Sequence, residues 1–106
     1  MREIEFRPRA SADLDGILAY IALTLKSPQA ARDTANAILA SIERAAEMPE
    51  LGQPFFAEDL EHPAYRRKLV KRYWVYYTCT DDTLTVRRIF HTTQDTDCYG
   101  FELLDD

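Results

Sequence analysis

Residues 65–77 read YRRKLVKRYWVYY. Arg66, Arg67, Lys68, Lys71 and Arg72 crowd together, and Tyr73, Trp74, Tyr76 and Tyr77 follow at once. Arginine can clamp a phosphate or carboxylate through two parallel N–H bonds, and aromatic rings offer faces to bases and to cations. The mix suits a nucleic acid or a peptide groove. It also suits a solvated strand face. Same-face neighbours on a strand stand ~7 Å apart, where two like charges in water repel by only about 0.6 kcal/mol. Alternation divides the stretch: Arg66 and Lys68 share one face of a strand, Arg67 leaves it, and Lys71 and Arg72 belong to a turn. Tyr73, Val75 and Tyr77 share a packing face. Trp74 and Tyr76 take the other, where Arg66 or Lys68 of the adjoining strand is expected beside them. His91, at the end of a later strand, is the other titratable candidate. His62, before Pro63, reads as a loop residue.

These residues need elements to hold them. REIEFRP alternates and is closed by Pro8, so it reads as a short strand. Ser11 is the expected N-cap of a first helix, with Asp13 and Asp15 in its first turn. Leu14, Ile17, Leu18, Ile21 and Leu25 recur at helical spacing, and Gly16 costs that helix about 1 kcal/mol relative to alanine unless it permits a close approach. Ser27 and Pro28 open a second, alanine-rich helix, with Ala31, Ala35, Ile38, Ile42 and Ala45 on one face and Leu39 beside them. MPELGQP ends it. The short link makes the two helices an antiparallel hairpin.

A loop is expected from about Pro49 to Pro63, pinned by Phe55 and Phe56. Three strands follow, Tyr65–Val70, Tyr73–Thr80 and Thr83–His91, with VKRY and TDDT as tight turns. In the last strand Leu84 and Val86 are out of phase with Ile89 and His91; a bulge near Arg87–Arg88 would reconcile them, or alternatively Phe90 keeps the original phase. The tail after about residue 95 has little periodicity, although Tyr99, Phe101, Leu103 and Leu104 could dock on the sheet. Helix and strand lengths of about 22 Å match. The expected fold is therefore α+β: a strand, a helical hairpin, then an antiparallel sheet of three strands (β-α-α-β-β-β), one sheet face being open to water or a partner.

The 106 residues make one domain. The formal net charge of −5 argues against a generic nucleic-acid coat. No apolar run is long enough for a membrane span, and MREIEFRPRA has no secretory h-region. Cys79 and Cys98 are too few and too far apart for a metal clip or a disulfide framework and read as free thiols of a cytoplasmic protein, one bridge between them being the alternative. No cofactor or metal is expected.

In their order, ADLDGILAYIA, SPQAARDTANAILASIERAAEMPELG, YRRKLVKRYWVYYTCTDDTLTVRRIFH and QD resemble the RelE/ParE family of type II toxin–antitoxin toxins, from Ile4 to about Asp95. The resemblance implies a small toxin of a plasmid-stabilisation module, held inactive by a cognate antitoxin. RelE-like members cut mRNA in the ribosomal A site. ParE-like members poison DNA gyrase without known catalytic residues.

For the nuclease branch, the resemblance offers Arg66 and Lys68 as phosphate clamps, His91 as general acid or base, and Tyr99 as a base-stacking ring. Trp74 stands where RelE-like enzymes carry an arginine, and Thr92–Asp95 lacks their cations. The long alanine-rich helix, RYWVYY, and a final histidine followed by an acid resemble the ParE-like branch, with Gln94 in place of a common arginine. The implied target- or antitoxin-binding set is Arg66, Lys68, Trp74, Tyr76, Arg87 and Arg88. Three functions stand: a growth-inhibiting toxin that binds gyrase, a ribosome-dependent mRNA endoribonuclease, and a non-toxic antitoxin-binding relative.

Overall fold

A computed structural model describes residues 2–54 and 65–93. Expectations for Phe55, Phe56, His62, Cys98, Tyr99, Phe101, Leu103 and Leu104 lie outside the described residues. The elements run β1 (Glu3–Phe6), α1 (Pro8–Ala19) continued by a π turn (Tyr20–Thr24), α2 (Pro28–Glu47), a 3₁₀ turn (Pro49–Leu51), β2 (Gln53–Pro54), β3 (Arg66–Val70), β4 (Tyr73–Cys79) and β5 (Thr83–His91). The α+β fold is thus the expected one, with β2 set inside the segment read as loop.

The sheet order is β1-β5-β4-β3-β2. β1 lies parallel to β5, and the other pairs are antiparallel. A parallel neighbour needs a crossover, and the helical hairpin supplies it. That hairpin covers one sheet face. Ala10 of α1 and Ile38, Ile42, Ala45 and Ala46 of α2 pack on Val70, Val75, Tyr77, Leu84, Val86 and Ile89, with Ile4 and Phe6 at the edge. Each large side chain buried there contributes roughly 1.5–3 kcal/mol.

Helix starts follow local chemistry. α2 opens as expected: Ser27 Oγ accepts the Ala30 N–H at 3.2 Å and Pro28 takes the first position. α1 does not open at Ser11. It begins at Pro8, whose fixed φ suits a first turn and whose missing N–H costs nothing there. Asp13 therefore sits a turn further in and is free to reach the sheet.

The helix-spaced apolar stripe also needs correction. The π turn takes five residues, with Leu25 N–H bonding to Tyr20 O at 3.1 Å, so residues beyond it rotate out of phase. Ile21 stays buried and Leu25 does not. Leu39 also faces solvent. Gly16 permits no close approach: a Cβ there would meet nothing. Gly52 does the opposite, since a Cβ would collide with the Tyr77 hydroxyl. That hydroxyl donates to Pro49 O at 2.7 Å, locking the exit of α2 to the sheet.

Both hairpins have two-residue turns. Lys71 takes a positive φ of 55° in the first. In the second, Thr80 Oγ1 accepts the N–H groups of Asp82 and Thr83. The bulge falls where the phase change placed it. Tyr76 pairs with Arg88 and Tyr77 with Val86, leaving Arg87 as the extra residue.

Candidate functional site

Register decides which cations meet which aromatics. The Lys71–Arg72 turn pairs Val70 with Tyr73, so Arg67 lies opposite Tyr76, Lys68 opposite Val75, and Leu69 opposite Trp74. Paired residues share a face. Arg66 and Lys68 therefore point to the helix side, and the expectation that one of them joins Trp74 and Tyr76 is corrected. Arg67, the cation that alternates away from them, takes that place.

Arg66 is tied into the fold. Its guanidinium donates to Gly52 O at 2.7 Å, beside Tyr77. Lys68 lines a small apolar recess with Ser41, Ile42, Ala45 and Val75. Burial holds its ammonium below the usual lysine range, and Arg44 of α2 pushes the same way. Neither cation shares a surface with the aromatic pair.

On the sheet face opposite α1 and α2 a ladder of arginines and rings forms. The Arg67 guanidinium lies 4.0 Å over the Trp74 ring and donates to the Tyr76 hydroxyl at 3.2 Å. Tyr76 meets Phe90 edge to face, with centroids 5.6 Å apart. Arg88 lies 4.5 Å over Phe90. Because Arg87 and Arg88 both fall between the inward-facing Val86 and Ile89, the bulge turns two consecutive arginines to this one face. Arg87 Nε donates to Thr78 Oγ1 at 3.2 Å. The face is not uniformly wet, as an open sheet surface would be: Tyr76 is 0% exposed and Phe90 2%. Tyr76 is thus part of the platform's interior, while Trp74 remains half-buried and Leu69 exposed.

Asp13 anchors the ladder from α1. Its carboxylate accepts Arg88 Nε at 2.7 Å, Arg88 Nη2 at 3.1 Å and the Ile89 N–H at 3.0 Å. β1 has ended by then, since Arg7 N–H to Val86 O is its last bond to β5, and the carboxylate serves the strand edge left over. Sequence reasoning placed Asp13 in a helix first turn and missed this role. No local signal links residues so far apart in the chain. Arg67 was missable for a different reason: a two-residue turn already implies its register opposite Tyr76.

His91 pairs with Tyr73 at the other end of the sheet, their rings edge to face at 5.3 Å. Thr93 N–H donates to His91 Nδ1 at 3.1 Å, which leaves Nε2 as the proton-bearing nitrogen of the neutral ring. Arg66 lies four residues along the sheet from that end and two strands across. The separation is ~13 Å along the strands and ~10 Å across them. Lys68 is nearer, but the buried Val75 and Ile89 stand between it and His91. Tyr99 lies outside the described residues. A phosphate clamp and a general acid or base are therefore not brought together by Arg66, Lys68 and His91. Among the described residues no cluster of three or more histidine, cysteine, aspartate or glutamate side chains could hold a metal ion, and no helix is long and apolar enough to cross a membrane.

Comparison with known proteins places this geometry. A sequence model described as the ParE toxin of the type II toxin–antitoxin system, parDE, matches residues 4–96. No curated protein sequence matches. Among solved structures, the chain is similar to one from a chromosomal ParDE system of P. aeruginosa, with a TM-score of 0.63 and 19% identity over 86% of this chain and 96% of that one. It is also similar to one from the RelBE2 toxin–antitoxin complex of Mycobacterium tuberculosis, with a TM-score of 0.55 and 16% identity over 85% and 96%. A third is a YoeB dimer from Staphylococcus aureus, with a TM-score of 0.50 and 20% identity over 85% and 97%. At these identities the solved structures establish the shared fold.

Proposed function

The chain belongs to the ParE toxin family of type II toxin–antitoxin systems, and on that premise we propose that it inhibits growth by binding a cellular protein, DNA gyrase, and that a cognate antitoxin neutralises it. The observation that supports binding over RNA cleavage is the division of the candidate residues. Arg66 and Lys68 face the helices, His91 sits at the far end of the sheet, and Trp74 occupies the position where RelE-like enzymes carry an arginine. Phosphoryl-transfer chemistry on RNA needs those charges around one phosphate. A protein partner needs something else: aromatic and arginine anchors on a rigid, partly desolvated surface. Arg67, Trp74, Arg87 and Arg88 on the face opposite α1 and α2 supply that.

The test is inducible expression followed by two readouts, plasmid supercoiling and mRNA end mapping. Altered supercoiling with intact mRNA is the expected result, and it is reversed by co-expressing the antitoxin from the neighbouring reading frame. Codon-phased mRNA cuts would sink the gyrase reading in favour of an endoribonuclease. Unimpeded growth with folded protein would leave only an antitoxin-binding role.

A further inference from the structure

The helix side carries a second surface that this reading does not use. Ile17, Tyr20 and Leu25 form one wall of a cleft of ≈ 550 Å³, and Arg72, Tyr73 and His91 form the other. Gly16 also lines it, and no carboxylate is among the lining residues. The volume falls within the range of ordinary ligand sites. Two apolar residues of the lining are well exposed, Tyr20 at 54% and Leu25 at 56%.

The exposure of Leu25 has a structural cause. Continued as a plain α-helix, the stripe Leu14, Ile17, Ile21 and Leu25 would carry Leu25 onto the core face. The π turn swings it out to solvent. π turns within helices frequently mark functional sites. Contiguous exposed apolar residues beside a cleft mark protein docking surfaces. Among the described residues that line the cleft, the charge is positive. Arg72 lines it, and Lys71 and Lys26, next to Arg72 and Leu25 in the chain, are both exposed.

We propose that this cleft docks a segment of a partner protein in which a large apolar side chain is flanked by carboxylates. The apolar side chain enters between Tyr20 and Tyr73, and a flanking carboxylate pairs with the Arg72 guanidinium. The site lies on the opposite side of the sheet from the Arg67–Trp74 platform, so the protein holds two partners, or two segments of one, without competition.

The probe is a capped hexapeptide, Asp-Glu-Leu-Phe-Glu-Asp, titrated into the ¹⁵N-labelled full-length protein. Two controls accompany it, one with lysines for the acids and one with alanines for Leu-Phe. The acidic peptide is expected to move the amide signals of Gly16, Tyr20, Tyr73 and His91, and both controls to leave them in place. Arg72→Gln, at an exposed position, should weaken binding about tenfold, the worth of one charge-assisted hydrogen bond. Gly16→Phe puts a ring into the cleft that this residue lines and should abolish binding, whereas Gly16→Ala should retain it. No cleft shift with the acidic peptide, equal binding of the lysine peptide, or undiminished binding by both Arg72→Gln and Gly16→Phe overturns the proposal.

Discussion

Asp13 on the first helix and Arg88 in the bulge of the last strand form an ion pair of 2.7 Å with both side chains mostly shielded from solvent. The same carboxylate takes the Ile89 N–H. One residue thus fixes α1, the free edge of β5 and an arginine of the candidate partner face.

Asp13→Ala should therefore cost about 2–4 kcal/mol, because it strands a shielded guanidinium and a strand N–H together. Urea denaturation measures it. Asp13→Ala combined with Arg88→Met should cost less than the sum of the two single changes, since the second removes the charge that the first leaves unpaired.

The two sets of cations should separate functionally. Arg67→Ala and Trp74→Ala are expected to reduce growth inhibition and target binding while the protein stays folded. Arg66→Ala should cost about 1–2 kcal/mol through the lost bond to Gly52 O, with target binding retained in the folded fraction. Growth assays and pull-down of the target, read beside denaturation curves, check both arms. Loss of target binding in folded Arg66→Ala alone would reverse the assignment.

Gly52→Ala should destabilise by about 1–3 kcal/mol, since the new methyl collides with Tyr77 just where its hydroxyl holds Pro49 O. Tyr77→Phe in that background removes the colliding oxygen. The double variant is expected to be more stable than the two single costs predict, as a double-mutant cycle reports.

Two backbone positions should gain stability. Lys71→Gly relieves a positive φ of 55° that glycine adopts freely, and is expected to add about 0.5–1 kcal/mol. Gly16→Ala adds a similar amount, because the helix gains propensity and the methyl meets no neighbour. Shifts in melting temperature of a few degrees measure each.

Stability should fall in alkali. Burial pushes the Cys79 thiol above its ordinary 9.0 and the Tyr77 phenol above its ordinary 10.0. Below those values both states are protonated and the contribution is complete. As pH rises through the folded-state values, the unfolded chain ionises more readily and the contribution is lost. Lys68 works in the opposite sense: its lowered value makes folding more favourable as pH climbs toward 10.5. Cys79→Ser should remove the earliest part of the alkaline loss, read by urea midpoints between about pH 8 and 11.

Much of this was legible in the chain. Ser27 and Pro28 announce α2, and the phase conflict in TLTVRRIFH announces the bulge, because both signals are local and the backbone answers to local chemistry. The register that brings Arg67 to Trp74 was also present, in the length of a two-residue turn, although alternation within one strand could not reveal it. Period-two patterning tells which residues of a strand share a face; only pairing tells which residues of two strands do.

The amino-acid order by itself announced β1, the helical hairpin, the three C-terminal strands, the bulge and the family, but not β2 or the π turn. The tertiary structure alone decided the rest. It placed β1 parallel to β5, sent Asp13 to Arg88 and Ile89, buried Tyr76 and Phe90 on the face opposite the helices, and turned Leu25 outward through a π turn. These outcomes join residues distant in sequence or depend on how one element seats on another. No local period encodes them, because the energy that selects them comes from contacts that form only once the chain has closed on itself.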